Sequence, residues 1–584
     1  MRTHSQIRER DNYEAYSLDE GKPRQGIPEI NKASDRKFFE GDIIVPLEKN
    51  ALRNSSYRWK LPVPYIMGDS LDLNTRGVIL QAFEMFRLKS CIDFKPYEGE
   101  KSYLQFEKLD GCWSFVGDFQ TGQNVSIGPR CEYKDTVEHE VLHALGFYHE
   151  QSRTDRDDYV NIWWGEIIEG QEHNFNKYDD DFISDLNTPY DYESVMHYGP
   201  YSFNRNSSIP SITTKISEFN DVIGQSQDLS RIDLQRLNRM YNCASSLTLL
   251  DQCSFESINI CGMIQNAKDD ADWQHTVISN GGNNLVGHCP EMGYFMRLDT
   301  TAGQSGDSAI LESRILYPRR NEKCLQFFYK FDGSLQDELI IWIKSDDGTG
   351  SVRKTAKLQA ISADGERNWN LATIPFRIKT KFRYVFHGIK GNTSSSIGGV
   401  NIDEVSLTET QCPTGIWQIR NITSLLNRTS KGDNISSPLF YSSEGYCFVL
   451  RLFPHGPASS TSTSYLGIMF ALCSSQNDGA LEWPAGNRQV IFTIVDQDPD
   501  ITQRMSASRT FTTDPEQLHN GRYFWDKPST IGSFDPFYNQ YIGPMWGWNY
   551  ILPHSELHRR NFLKNDNLII FASFEVVEDP GSVL

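Results

Sequence analysis

His139, Glu140 and His143 stand in the order H-E-x-x-H, and Gly146 and His149 extend the run to H-E-x-x-H-x-x-G-x-x-H. On an α-helix His139 and His143 lie one turn apart on one face, so both imidazoles can reach a single metal ion. Glu140 sits beside them, placed to take a proton from an attacking water. Gly146 can adopt a positive φ, which stops the helix and turns the chain sharply. That turn brings His149 back as a third ligand. Three neutral nitrogens suit one Zn²⁺ per chain and leave it an open position, as in catalytic rather than structural sites. A bare H-E-x-x-H can be a helix with histidines on a wet face. The longer pattern makes that reading a poor one.

Further along comes Ser194-Val195-Met196-His197-Tyr198. A methionine about fifty residues beyond the third histidine matches the Met-turn of the metzincins, an apolar floor beneath the metal. Tyr198 follows two residues later, where a phenol could serve a developing oxyanion. Directly after the helix runs His149-Glu150-Gln151-Ser152-Arg153-Thr154-Asp155-Arg156-Asp157. Here the resemblance becomes specific: the stretch resembles the astacin family of zinc endopeptidases. That resemblance implies hydrolysis of internal peptide bonds, with Glu140 as general base and Tyr198 as a resting metal ligand and oxyanion donor. It also implies that Glu150 anchors the new N-terminus after activation. Phe39-Glu40-Gly41-Asp42 is similar to the F-x-G-D motif of astacin zymogens, in which the Asp42 carboxylate would occupy the open metal position. A trypsin-like cut at Lys49–Asn50 would then activate the chain. Two bridges carry over from the family, Cys91–Cys243 and Cys112–Cys131.

At 584 residues the chain exceeds one core, so several domains are expected. A net charge of −19 argues against nucleic-acid partners and against charge-driven binding to anionic membranes. No run of apolar residues is long enough to span a bilayer. Met1-Arg2-Thr3-His4-Ser5-Gln6 lacks the apolar core of a signal peptide, which by itself reads as cytosolic. Against that stand N-x-S/T sequons at Asn54, Asn124, Asn206, Asn392, Asn421, Asn427 and Asn434. The 11 cysteines have spacings typical of extracellular modules. The combined expectation is a secreted or cell-surface-associated protein whose leader is not in this sequence.

Residues 1–49 are polar and read as a pro-segment, although the first 35 match nothing recognisable. Residues 50–245 read as the protease domain, with a first strand over Tyr57–Ile66 and a helix over Leu73–Lys89. From Cys253 short strands separated by turns predict a β-sandwich. Cys253-x7-Cys261, Gly399-Val400-Asn401-Ile402-Asp403-Glu404-Val405 and Cys412 resemble a MAM domain over 250–413, which implies the pairs Cys253–Cys261 and Cys324–Cys412. Trp417-Gln418-Ile419-Arg420-Asn421 and Leu452-Phe453-Pro454-His455-Gly456 resemble a MATH (TRAF-like) domain over 414–580. The expected fold is therefore multidomain: an α+β metzincin protease followed by two antiparallel β-sandwiches. Protease–MAM–MATH is the order found in the meprins, and Phe83-Glu84-Met85-Phe86-Arg87 and Asn161-Ile162-Trp163-Trp164 are similar to their α type.

Three cysteines are left after these pairs: Cys289, Cys447 and Cys473. Cys447 and Cys473 could be buried thiols or a pair. By resemblance Cys289 links subunits, giving a disulfide-linked homodimer, or a heterodimer with a related subunit, able to build larger oligomers. Gln171 in Glu169-Gly170-Gln171-Glu172-His173 is neutral where a basic residue would select acidic substrates, with Lys215 expected nearby, so broad specificity is expected. Two other classes compete: an adhesion protein with a vestigial protease, and a zinc hydrolase of non-peptide substrates. Retention of Glu140 and all three histidines speaks against the first; only the family resemblance speaks against the second.

Overall fold

The computed structural model describes residues 15–19, 22–45, 57–178, 185–277 and 293–577. Before the protease domain lie a short strand β1 (Ala15–Ser17) and a helix α1 (Ile27–Asn31). The first large domain begins with β2 (Val63–Met67), later than the expected Tyr57 start. Pro62 supplies no N–H, so the chain cannot join a ladder there in the usual way. Helix α2 (Leu73–Lys89) has the expected bounds. Asp72 caps it by accepting from Thr75 N at 2.8 Å. Its buried face, Val78, Ile79, Ala82, Phe83 and Phe86, rests on a five-stranded sheet.

That sheet has the order β3 (Phe94–Pro96), β2, β4 (Tyr103–Glu107), β6 (Gly122–Ile127), β5 (Cys112–Trp113). All its pairings are parallel except β5–β6. Helix α3 (Lys134–Leu145) packs against α2, β5 and β6, and each of its 12 residues is buried. Beyond it β7 (Val160–Ile162) pairs with β8 (Ile212–Thr214), and α4 (Arg231–Tyr241) closes the domain. A capping box of Ser230 and Asp233 starts α4. Cys91–Cys243 joins the ends of α2 and α4 across 152 residues. Closing a loop of that size contributes roughly 4–5 kcal/mol in the chain-entropy treatment. Cys112–Cys131 ties β5 to the approach to α3.

The second module is a sandwich of a six-stranded and a five-stranded sheet. Cys253–Cys261 and Cys324–Cys412 both form. Its strand Gly399–Thr408 is buried at every position instead of alternating. The reason is a cover on the outer face: Phe328 and Trp369 pack with Val495 and Ile569 of the third module, and Lys564 pairs with buried Glu404. The third module is a sandwich of a four-stranded and an eight-stranded sheet. Cys447 and Cys473 lie directly opposite each other on adjacent strands and form a disulfide, which closes that open question.

Residues 15–17, unplaced by sequence, extend the eight-stranded sheet: β1 runs parallel to the edge of strand Met545–Pro553. Tyr16 packs against Phe524 and Trp546, and the Asp19 carboxylate accepts from Asn549 N at 2.8 Å and Tyr550 N at 2.9 Å. An N-terminal segment anchored on the far module has no signature in local patterning. No helix among the described residues is long and apolar enough to cross a membrane.

Candidate metal centre

Helix α3 ends where the motif requires. Gly146 takes φ 114°, and its N–H returns to His143 O at 2.8 Å. The reversal carries His149 back over the helix, leaving its ring centroid 4.8 Å from His143 and 5.2 Å from His139. Each ring is fixed through its outer nitrogen. Nδ1 of His139 donates to Val195 O at 2.8 Å, that of His143 to Phe147 O at 2.7 Å, and that of His149 to Glu40 Oε2 at 2.9 Å. Such bonds set tautomer and ring direction. All three Nε2 atoms then converge on Asp42, at 3.2 Å for His139 and His149 and 3.4 Å for His143.

These donor atoms lie within 4.8 Å of one another and all four residues are buried. Asp42 Oδ1 and His143 Nε2 are sealed from solvent without a hydrogen-bond partner among the described residues. Buried polar atoms without partners are costly, and a tetrahedral cation bound by three imidazoles and a carboxylate satisfies them. The site therefore fits Zn²⁺. Burial opposes ionisation of Asp42, yet the three imidazoles around it outweigh burial and hold the carboxyl well below its usual range.

Asp42 is presented by a tight turn. Phe39 and Ile43 exchange backbone hydrogen bonds at 2.9 Å, and Gly41 sits at φ 80°. A Cβ on Gly41 would come within 2.7 Å of the Phe203 ring. Asn31 braces the turn, donating to Gly41 O and Cys112 O while accepting from Cys112 N. Upstream, Arg24 makes two bonds to Asp135, in the first turn of α3, and covers the Tyr133 ring.

Glu140 is fully buried, and neither carboxylate oxygen has a partner among the described residues. Burial, and then the Asp42 charge, push its carboxyl well above the ordinary range. The Tyr198 phenol donates to Glu40 O. Burial, with Asp42 and Glu40, raises it well above an ordinary tyrosine, so it stays protonated. Met196 is buried in the protease core, its N–H on Ser194 Oγ at 3.1 Å. Glu150 pairs with Arg236 through both oxygens and accepts from Asp191 N at 2.7 Å.

The comparisons with known proteins agree with this geometry. The family model for astacin, described as a peptidase family, matches residues 51–242, "MAM domain, meprin/A5/mu" matches 253–413, and "MATH domain" matches 414–574. Meprin A subunit alpha of Rattus norvegicus is 56% identical over 564 residues, 96% of this chain and 75% of that protein. This chain belongs to the meprin family. Meprin A subunit beta of Homo sapiens is 44% identical over 574 residues, 96% of this chain and 80% of that protein. Among solved structures, the hatching-enzyme zinc-protease high choriolytic enzyme 1 of Oryzias latipes matches 33% of this chain and 100% of its own, at 39% identity and a TM-score of 0.32. As a meprin with an astacin peptidase domain and a converging His/His/His/Asp set, the chain is a zinc metalloendopeptidase.

Other expected meprin features fall in different places. Lys49, Asn50, Asn54 and Cys289 lie outside the described residues. Asn206, Asn392, Asn421 and Asn427 are exposed; Asn124 is half-buried on β6, and Asn434 is buried, unlike the open surface expected of a glycan acceptor. Gln171 accepts from Asn174 Nδ2 at 2.8 Å, and Lys215 reaches Asp157 O. Sequence reasoning missed Glu40, which binds His149 with its side chain, Ser152 Oγ at 2.6 Å, and Tyr198 with its carbonyl. It also missed Asn31. The signal for Glu40 lay inside F-x-G-D, at the position written x.

Proposed function

We propose that the chain is a latent zymogen of a secreted meprin that cleaves internal bonds of proteins and peptides with broad specificity. The carrying observation is the Asp42 carboxylate lodged among the three Nε2 atoms, where an attacking water would have to stand. His139, His143 and His149 hold the metal. Held there, Zn²⁺ would supply Lewis-acid polarisation of the scissile carbonyl and a more acidic attacking water. Glu140, whose carboxylate has no partner among the described residues, takes that water's proton and returns it to the leaving amine. Tyr198, protonated, donates to the oxyanion once Glu40 O has departed. Met196 floors the site. A trypsin-like protease cuts at Lys49–Asn50, and the new amino terminus seeks Glu150. Cys289 joins two such chains, or one chain and a related subunit, at or outside the cell surface. The MAM and MATH modules support folding and assembly.

Latency has a direct test. The uncut chain should cleave a peptide library barely at all, trypsin should switch it on, and a zinc chelator should abolish the gain. Asp42→Ala should raise the activity of the uncut chain. High activity before cleavage, indifferent to Asp42→Ala, would remove the carboxylate from its role.

A further inference from the structure

His139 is aimed by the carbonyl of Val195, which accepts from its Nδ1 at 2.8 Å. Val195 belongs to the short stretch Glu193-Ser194-Val195-Met196, which is held from within the protease and from outside it. From within the protease, Asp233 accepts from Ser194 Oγ at 2.6 Å and Val195 N at 3.0 Å. The second hold comes from another domain. At the end of helix His554–Arg559 in the third module, Arg559 Nη1 pairs closely with Glu193 Oε1, and Arg560 Nη1 lies 3.3 Å from Glu193 Oε2. Both oxygens of one protease carboxylate are thus taken by guanidinium groups of the third module.

The two arginines are not free to follow that carboxylate. Arg559 Nε donates to Glu556 at 2.9 Å, and Glu556 in turn accepts from Gln227 of the protease at 2.7 Å. Arg560 Nε donates to buried Asp496 at 2.8 Å and its Nη2 to Gln503 O at 3.1 Å. The Glu193 backbone is pinned too, its carbonyl accepting from Gln225 Nε2 at 3.0 Å. Isolated exposed ion pairs contribute little because long side chains lose entropy and water screens them. Here the guanidinium groups are pre-ordered, and the side chains are only 18%, 16% and 28% exposed for Arg559, Arg560 and Glu193.

We infer that Glu193, clamped by Arg559 and Arg560, is a positioning residue through which the third module sets the pose of the Val195 carbonyl and hence of His139. The module then acts on metal retention and turnover without touching substrate. Partners that directly orient a metal ligand are worth about 10–100-fold in affinity. One step further out, a loosened clamp should speed zinc release by about 3–10-fold.

The test uses the full trypsin-activated chain and follows zinc transfer to a chromophoric chelator, with kcat and KM on one peptide. Glu193→Gln, and Arg559→Ala with Arg560→Ala, should each release zinc about 3–10-fold faster and lower kcat while KM stays within about twofold. The cobalt-substituted variants should show shifted visible bands. Glu193→Asp should fall between wild type and Glu193→Gln. Unchanged zinc release and cobalt spectra in folded Glu193→Gln would overturn the inference. So would a parallel rise in KM, or a loss fully accounted for by a lower melting temperature. The inference rests on His139 being a zinc ligand. A wild-type chain that binds no zinc would sink that assignment instead.

Discussion

Glu140 is the side chain on which turnover should depend most and folding least, because nothing among the described residues bonds to its carboxylate. Glu140→Ala should keep its zinc, measured by metal analysis, while peptide turnover falls about 10²–10⁴-fold. Behind the metal ligands lies a second acidic group, Glu150, Asp191 and Asp233, around Arg236. Burial, then the charges of Asp233 and Glu150, push Asp191 up to about 8 from an ordinary 3.8. A raised carboxyl favours the folded state at low pH, and that gain is lost as pH climbs from about 4 to about 8. Wild-type melting temperature should therefore fall across that window more steeply than that of Asp191→Asn. Equal slopes would remove the proton from Asp191. The zinc ligands and Glu140 were legible because their chemistry is packed into one helix and one turn. Asn31 and Glu40 were not, since Cys112 lies 81 residues from the first and His149 lies 109 from the second, and no local pattern records a side chain that serves a distant loop.

Elements were legible where local and global demands coincide. For α2 the cap at Asp72 and the apolar spacing point the same way, and the bounds came out as expected. Strand Gly399–Thr408 was recognised only through its resemblance, because a strand covered on both faces loses its alternation. Cys447 and Cys473 illustrate another limit: two apolar strands each carrying a cysteine do not reveal their register until they pair. The register sets the two residues opposite each other, with Cα atoms 5.0 Å apart. The bridge closes a separation of 26 residues. Its loss in Cys447→Ala with Cys473→Ala should destabilise the third module by about 2–4 kcal/mol. Calorimetry on the full chain should show one transition lowered. If no transition moves, the bridge is not formed in solution.

For the molecule as a whole, five disulfides among the described residues account for ten of the 11 cysteines and leave Cys289 over. An odd cysteine in an oxidising compartment implies an intermolecular bond or a free thiol. Without reductant the wild type should migrate as a dimer and Cys289→Ser as a monomer. A covalent dimer that survives Cys289→Ser would reassign the link. The pairing of β1 with the edge of the third module carries a different consequence. On the proposed reading of Asp42 as the blocking carboxylate, blocker and target share one polypeptide while the chain is whole, so inhibition would be independent of concentration. A cut anywhere between Asp42 and β2 turns the pro-segment into a separate ligand. It is still fastened by the β1 ladder, by Asp19 on Asn549 and Tyr550, and by Arg24 on Asp135. Tethering is worth an effective concentration of the order of millimolar, and the cut surrenders it. Freshly cut enzyme should therefore gain activity on dilution and lose it on concentration, timing its own release by how far it has spread from where it was cleaved.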